Sequence, residues 1–273
     1  MFECVINISE GRDLPALEQL SRAAGSSLRD RHRDRFHNRA VFTMINERDQ
    51  LLLDVHSLVH SAYRLLDLRQ HSGVHPRLGV VDVVPFVALG PERPEEACAL
   101  RDATASWFAE SFSVPVFLYG PLSDGTVRTL PEVRRWAFTS LAPDLGPGEA
   151  SPSRGAVAVG CRPILIAWNL WLRDVTFDEA RRIASAIRQG AVRSLAFRVG
   201  EEVQVSCNVI DFGSVRLSQV YDQVSALLPR GGAIDRAELV GLAPRALLES
   251  ESEERWEELG LSPDATIEAR SAR

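Results

Sequence analysis

The chain of 273 residues is long enough for one large domain or two of moderate size, and its composition, 45% apolar and 25% charged, is that of a soluble globular protein. A net charge of -6 argues against nucleic acid as a partner, and no apolar run approaches the roughly 20 residues that cross a bilayer. All 31 basic side chains are arginines, which excludes Schiff-base chemistry and a Walker-type phosphate site.

Strand and helix patterns alternate through the first half of the chain. Apolar, β-prone runs predict four strands, at 2–9, 40–46, 79–89 and 114–120. Apolar residues at three- and four-residue steps predict helices between these strands, and Asp49 is a favourable cap for the second helix. This order predicts an α/β layer in which helices cover a face of one sheet.

A segment rich in proline, glycine and serine, 143–156, is the clearest break in the chain and is either a linker or a binding loop. A second unit begins after it. There the sequence predicts a strand, a helix opened by the capping box of Thr176 and Glu179, a hairpin, a second helix and a final strand. This β-α-β-β-α-β order is the ferredoxin-like pattern. The acidic tail after Ser250 is typical of a solvated terminus.

The four cysteines lie far apart and form no Cys-x-x-Cys pair: Cys4, Cys98, Cys161 and Cys207. The N-terminus lacks the basic start and apolar core of a signal peptide. Together these features predict reduced, mostly buried thiols and a cytoplasmic location. A homodimer is the default expectation for the oligomeric state.

All six histidines lie between residues 32 and 75, which raises the question of a metal site. His56 and His60 have the i, i+4 spacing of zinc ligands on a helix, but they fall on the polar face opposite Val55 and Val59. No glutamate stands between them in the metalloprotease position. The sequence therefore favours a solvated helix face and predicts no metal.

The loop HSGVHPRLG, residues 71–79, is the strongest candidate for chemistry. Pro76 biases His75 towards an extended backbone, and the nearby glycines allow tight turns on either side. A histidine in front of a buried strand has an unperturbed pKa of about 6.5 and can take and return a proton. Arg77 can bind a carboxylate through both arms of its guanidinium. Spacing alone nevertheless favours an ordinary polar turn.

A second polar cluster precedes the strand at 40–46. Asp34, Asn38 and Arg39 stand in the run DRFHNR, where Arg39 either binds an anion or belongs to a charged loop. Composition does not separate these two interpretations.

Alternation also places Gln204, Ser206 and Asn208 on one face of a strand, with apolar residues on the other. These three polar side chains either bind a polar heterocycle or face water, and the sequence favours neither interpretation.

These segments resemble, in the same order, the formiminotransferase domain family: CVINISEG, HNRAVFT, HSGVHPRLGVVDVVPF, VPVFLYG, PDLGPGEASPSRGA, LIAWNLWL, QVSCNVIDF and ELVGLAPRALL. The resemblance covers residues 3 to 248, and its most specific part is the His-Pro-Arg segment that leads into Asp-Val-x-Pro-Phe. It implies an α/β fold of two ferredoxin-like subdomains, at 1–161 and 162–273, with a folate-binding groove between them.

The resemblance also implies a transferase that moves a formimino group from N-formimidoyl-L-glutamate to N5 of tetrahydrofolate, a co-substrate, during histidine breakdown. Its expected partners are these small molecules, with no nucleic acid and no membrane. Carried over by motif, His75 is the catalytic histidine and acts as general acid and base. Arg77 and Arg39 are the expected contacts of the donor carboxylates, with Asn38 and Asp34 beside them. The folate-contacting loop is implied to be Gly146, Pro147, Gly148, Glu149, Ala150, Ser151, Pro152, Ser153, Arg154 and Gly155.

Four residues depart from the family's pattern: Arg35, which stands where a proline is common, and Val74, Trp168 and Trp171. Trp171 would narrow the groove if it faced it. Two alternatives to the formimino transferase stay open, namely a folate-binding protein without catalysis and a relative that acts on another one-carbon group on N5, as in 5-formyltetrahydrofolate.

Overall fold

The structure is a computed structural model, and it describes residues 1–272. The chain divides into two compact units, Met1–Pro163 and a second one that begins at Ile164. Each unit has its own sheet and its own apolar core.

The first unit is built on a seven-stranded sheet in the order β2-β3-β1-β4-β7-β5-β6. Its strands are β1 (Phe2–Ile8), β2 (Leu28–Asp34), β3 (Arg39–Asn46), β4 (Val81–Ala88), β5 (Val116–Pro121), β6 (Val127–Arg128) and β7 (Val157–Cys161). Its helices are α1 (Leu14–Ala23), α2 (Arg48–Leu65), α3 (Pro94–Phe112) and α4 (Leu130–Trp136). The first four strands pair antiparallel in ferredoxin-like order, whereas β4, β7 and β5 pair parallel.

Alternation along β1 separates a core face from a polar face. Cys4, Ile6 and Ile8 point into the main core, where they meet apolar residues of α1 and α2. Glu3 and Asn7 lie on the opposite face of the same strand, because successive side chains point to opposite sides. The polar end of β1 at Asn7 is where the candidate site lies.

Three strands of the first unit were not predicted from the sequence: β2, β7 and the two-residue β6. The charged strand β2 lies at the edge of the sheet and pairs on one side only. Its arginines are compatible with this position because the other side of the strand is open to solvent. β7 follows the segment 143–156 and pairs between β4 and β5. The interpretation of 143–156 as a linker is therefore wrong, since the segment is a loop inside the first unit.

The second unit is a four-stranded antiparallel sheet in the order β11-β8-β10-β9. Its elements are β8 (Ile166–Arg173), α5 (Phe177–Ala186), β9 (Val192–Val199), β10 (Glu202–Val209), α6 (Leu217–Leu227), β11 (Ala233–Val240), α7 (Arg245–Glu249) and α8 (Ile267–Ser271). Helices α5 and α6 contribute to the core on one face of this sheet. The predicted α/β fold with ferredoxin-like layouts is confirmed.

The acidic tail is packed into the second unit, so the prediction of a solvated terminus is wrong. Leu259, Leu261 and Ile267 are buried. The indole Nε1 of Trp168, a fully buried residue of β8, donates to the Leu259 carbonyl at 2.8 Å. Most residues of the tail are charged or polar, but its few buried apolar residues hold it against the second unit.

Cys98 of α3 and Cys161 of β7 form a disulfide, and their Cα atoms lie 5.1 Å apart. The prediction of reduced thiols is wrong for this pair, because α3 packs against β7 and brings together residues 63 positions apart. Cys4 and Cys207 are free and buried. Among residues 1–272, no helix combines the length and the apolar character needed to span a bilayer.

Candidate functional site

The candidate site lies where β1 ends and β3 and β4 begin. β1 is antiparallel to both neighbours, so its C-terminal end lies beside their N-terminal ends. Asn7, Arg39 and Asp82 consequently meet at one edge of the sheet. The pairing of β1 with β4 slips by one residue between Asn7 and Ile8, and this bulge falls at Asp82. Bulges of this kind redirect a side chain next to a site.

His75 is held between the Arg39 guanidinium and a backbone carbonyl. Arg39 Nη1 lies 2.7 Å from both ring nitrogens, and His75 Nδ1 lies 2.6 Å from the Pro76 carbonyl oxygen. Asn7 Oδ1 accepts from Arg39 Nε at 2.9 Å and from Nη2 at 2.5 Å, which fixes the guanidinium. The ring of His37 lies 5.6 Å from that of His75, centroid to centroid.

The surroundings keep His75 neutral. Burial lowers its pKa to about 2, and the positive charges of Arg39 and Arg134 act in the same direction. Burial also lowers the pKa of Arg39 to about 10, although the carboxylate of Asp82 opposes this shift. At neutral pH the site therefore holds an uncharged imidazole among charged arginines.

Asp82 organises the loop that carries His75. Its side chain is buried and accepts from Arg134 Nη2 at 2.5 Å and from the Leu78 amide at 2.6 Å. Arg134 also donates to the Pro76 carbonyl at 3.1 Å. The sequence analysis missed Asn7, Asp82 and Arg134. A carboxylate inside the apolar run GVVDVVPF was the available signal for Asp82, because charged residues are rarely fully buried unless paired.

Arg77, predicted to bind a donor carboxylate, closes its own loop instead. Its Nη2 donates to the carbonyls of Gly73 at 2.7 Å and His75 at 2.6 Å, and its Nη1 contacts His71 Nδ1. His71 Nε2 in turn lies 2.8 Å from the Asn38 carbonyl. These contacts commit most donors of Arg77 to the backbone shape of the loop.

Asn38 and Asp34 also shape the backbone. Asn38 has a φ of 50°, accepts from the Gly11 amide at 2.9 Å and donates to the Ser72 carbonyl at 2.9 Å. Asp34 Oδ1 accepts from the amides of residues 36 and 37. Both residues thus stabilise turns next to the His75 loop, and their place in substrate binding stays a prediction.

The predicted folate loop, 146–155, runs beside the His75 loop. The Val80 amide donates to the Arg154 carbonyl at 2.9 Å, and the Ala156 amide donates to the Leu78 carbonyl at 3.0 Å. Residues 146–150 are exposed. The Arg154 side chain points elsewhere, donating to the Phe112 carbonyl at 3.0 Å and lying over two aromatic rings.

Two other sequence candidates belong to other elements, α2 and β10. His56 stacks on Trp107 of α3 with centroids 3.7 Å apart, so its helix face is packed on aromatic side chains rather than solvated. On β10, Gln204 is fully buried, and neither of its amide atoms has a hydrogen-bond partner among the described residues. Trp171 lies opposite Gln204 on the same sheet face and donates to Glu238 at 3.0 Å.

Comparison with known proteins decides the family. Residues 1–162 match the formiminotransferase domain, N-terminal subdomain. The chain belongs to the formiminotransferase family. The resemblance predicted from the sequence motifs is therefore confirmed.

Relatives within the family include both long and short proteins. Formimidoyltransferase-cyclodeaminase of Rattus norvegicus is 32% identical over 283 residues, which cover 92% of this chain and 51% of the relative. Glutamate formimidoyltransferase of Streptococcus pyogenes serotype M1 is 30% identical over 270 residues, which cover 91% of this chain and 90% of the relative. The glutamate formimidoyltransferase of Thermoplasma acidophilum is also 30% identical, over 91% of this chain and 89% of the relative. The chain thus spans about half the length of the cyclodeaminase relatives that it matches.

Proposed function

We propose that this chain is a glutamate formimidoyltransferase, which moves a formimino group from N-formimidoyl-L-glutamate to N5 of tetrahydrofolate with His75 as general acid and base. The observation that carries the proposal is the neutral His75 imidazole, held by Arg39 and the Pro76 carbonyl beside the exposed loop 146–155. The names of the short relatives support the same activity.

The chemistry requires one proton to leave and one to arrive. N5 of tetrahydrofolate attacks the amidine carbon and gives a tetrahedral intermediate, so N5 must lose its proton. The bond to the glutamate nitrogen then breaks as that nitrogen gains a proton. A single histidine that takes the first proton and returns it to the leaving nitrogen balances both steps.

The hydrogen bonds of His75 assign its tautomer. The Pro76 carbonyl accepts from Nδ1–H, so the lone pair lies on Nε2, where it accepts from Arg39 Nη1 in the ligand-free protein. A base with a pKa of about 2 is weak at neutral pH. The donor carries two carboxylates, and their negative charge offsets the field of Arg39 and Arg134. Donor binding therefore raises the pKa of His75 and activates it.

The experiment compares His75→Ala and His75→Gln with wild type, using purified protein, N-formimidoyl-L-glutamate and tetrahydrofolate. Both variants should bind tetrahydrofolate normally and lose ~10²–10⁴-fold in kcat, because proton transfer is lost. His60→Gln, an exposed histidine on α2, is the matched control and should keep full activity.

Three results would contradict parts of this proposal. Retained activity in His75→Ala would remove this histidine from its role. Wild-type protein that binds folate without turnover would indicate a folate-binding protein. Turnover of 5-formyltetrahydrofolate but not of the formimino donor would indicate a different one-carbon group. Homodimerisation and a cytoplasmic location stay predictions from the sequence.

A further inference from the structure

The arginines predicted to bind carboxylates have most of their donors occupied within the protein. Arg39 uses Nε and Nη2 on Asn7 and Nη1 on His75. Arg77 uses Nε and Nη2 on loop carbonyls and Nη1 on His71. A glutamyl group with two carboxylates needs cationic donors that are not committed in this way.

A cavity of about 600 Å³ beside the catalytic loop offers such donors. Its lining is Arg12, Leu14, Arg33, Arg35 and Phe36. The three guanidiniums are exposed, and among the described residues no carboxylate oxygen lies within 4.0 Å of them.

Acidic residues near the cavity are turned towards backbone amides. Glu10 accepts from the amides of Arg12 and Asp13, at 2.6 and 2.9 Å. Asp13 caps α1 by accepting from the Ala16 amide at 3.0 Å, and Asp34 accepts from two amides of its own turn. The lining of the cavity itself therefore contains three guanidiniums and no carboxylate.

A second cavity, of about 440 Å³, has a balanced lining. It contains Arg48 and Arg93, but also Glu92 and Glu96. Arg93 lies 3.9 Å from Glu96, and Glu92 contacts the N-terminal amine. Because its positive and negative side chains balance, this cavity should not bind a dianion preferentially. Arg48 in its lining therefore serves as a control position.

The positive cavity is connected to the His75 loop by direct contacts. Arg12 Nε donates to the Arg35 carbonyl at 2.7 Å, and Arg12 Nη1 lies 3.4 Å from Ser72 Oγ. The Val74 amide lies 3.4 Å from the Phe36 carbonyl. The wall of the cavity and the loop that carries His75 are therefore in direct contact.

We propose that the cavity formed by Arg12, Arg33 and Arg35 binds the dicarboxylate of a glutamyl group. The inference rests on the proposed function, which supplies two sources of that group, the formimino donor and the glutamyl end of tetrahydrofolate. Planar guanidiniums match carboxylates through two parallel hydrogen bonds. The exposed side chains of Leu14 and Phe36 give the methylene carbons of a glutamyl group an apolar contact.

The test is the double variant Arg33→Gln/Arg35→Gln, with Arg48→Gln as the matched control. Among the described residues, the Arg35 side chain makes no hydrogen bond, and Arg33 makes one long contact of 3.3 Å to the Gly11 carbonyl, so the fold should be kept. We expect KM for the glutamyl substrate to rise about a hundredfold, with unchanged kcat and Tm, because two charge-assisted contacts are lost. The variant Arg33→Lys/Arg35→Lys keeps both positive charges but loses the planar guanidinium groups. Its KM should therefore lie between those of wild type and Arg33→Gln/Arg35→Gln.

The two glutamyl sources give different results. A higher KM for N-formimidoyl-L-glutamate alone assigns the cavity to the donor. A higher KM for tetrahydrofolate, with no change for 6-methyltetrahydropterin, which lacks the glutamyl group, assigns it to the folate. Unchanged KM for both substrates overturns the inference.

Calorimetry separates this inference from the proposed function. If wild-type protein shows no turnover, the binding of each ligand is measured directly. Loss of binding in the double variant then supports the cavity while the catalytic proposal fails. Equal binding in wild type and the double variant contradicts the cavity, whatever the protein catalyses.

Discussion

At the scale of single residues, burial and the contact with Arg39 together keep His75 neutral, and burial is the larger cause. Arg39 Nη1 lies 2.7 Å from the imidazole nitrogens, and Asn7 and Asp82 hold the guanidinium in place. Because burial and the charge of this cation both lower the pKa of His75, the imidazole stays neutral in the ligand-free protein. Arg39 is thus a positioning residue that also tunes the base.

The variant Arg39→Gln should change the pH dependence of the reaction. In wild type, the pKa of His75 is about 2, so kcat/KM should show no acid limb from this histidine near neutrality. Removing the cation raises that pKa towards its ordinary value, and the acid limb should move upwards. The loose imidazole should also lower kcat by about a hundredfold. The measurement is a pH profile of kcat/KM, with Arg48→Gln as the control, and an unshifted acid limb would contradict the role of Arg39.

The sequence predicted which loop bears the site but not the partners of its residues. The histidine before Pro76 was identifiable because proline restricts the residue that precedes it. Asn7 and Arg134 lie 68 and 59 residues from His75 in the chain (75 − 7 and 134 − 75). Asn7 reaches the histidine through Arg39, and Arg134 reaches its loop at the Pro76 carbonyl, because sheet pairing and the placement of α4 bring them there. Long-range contacts of this kind leave no local pattern in the sequence. Arg77 was expected on the substrate for a different reason, since a guanidinium suits a carboxylate and a loop carbonyl alike, and here it donates to carbonyls of its own loop.

At the scale of elements, the loop of His75 and the loop 146–155 are joined through two glycines. Gly155 has a φ of 76°, and a Cβ atom there would lie 2.3 Å from the Leu78 carbonyl oxygen. A Cβ atom on Gly79 would lie 2.3 Å from the Ala156 carbonyl oxygen. Only glycine allows the two backbones to come this close.

Gly155→Ala should therefore separate the two loops. We expect the free energy of unfolding to fall by about 1–3 kcal/mol, because the backbone is strained and the contact is blocked. Tetrahydrofolate binding and kcat should weaken together. Gly148→Ala in the same loop is the control, since an added methyl group there meets nothing within 4 Å. Equal effects of the two substitutions on stability, binding and kcat would show that the loops act independently.

The elements that the sequence predicted are those with a periodic apolar face. Strands β1, β3 and β4 and helices α2 and α3 fall close to the predicted positions. The strand β2 was missed because its sequence, LRDRHRD, is charged throughout and its pairing with β3 comes from tertiary context. The prediction for the tail was wrong because three of its apolar side chains are buried, which holds a highly charged segment against the second unit.

At the scale of the whole molecule, the first unit carries a buried carboxyl group that opposes its stability at neutral pH. Glu3 is 3% exposed on the face of β1 that also bears Asn7. Burial raises its pKa to about 7, although the charge of Arg162 opposes the shift. The folded protein therefore holds a proton on Glu3 across a range in which the unfolded chain, with an ordinary pKa of about 4.3, has lost it.

The sign of this linkage predicts the behaviour of Glu3→Gln. Between the unfolded and folded pKa values the folded state binds more protons, so the contribution of Glu3 to stability falls as pH rises and is fully lost above about pH 7. Glutamine stays neutral throughout. Denaturant unfolding should show that the gain from Glu3→Gln is roughly 3 kcal/mol larger near pH 8 than near pH 4. Glu257→Gln, on an exposed residue, should follow wild type at both pH values. A gain from Glu3→Gln that does not depend on pH would mean that Glu3 keeps its charge in the folded protein.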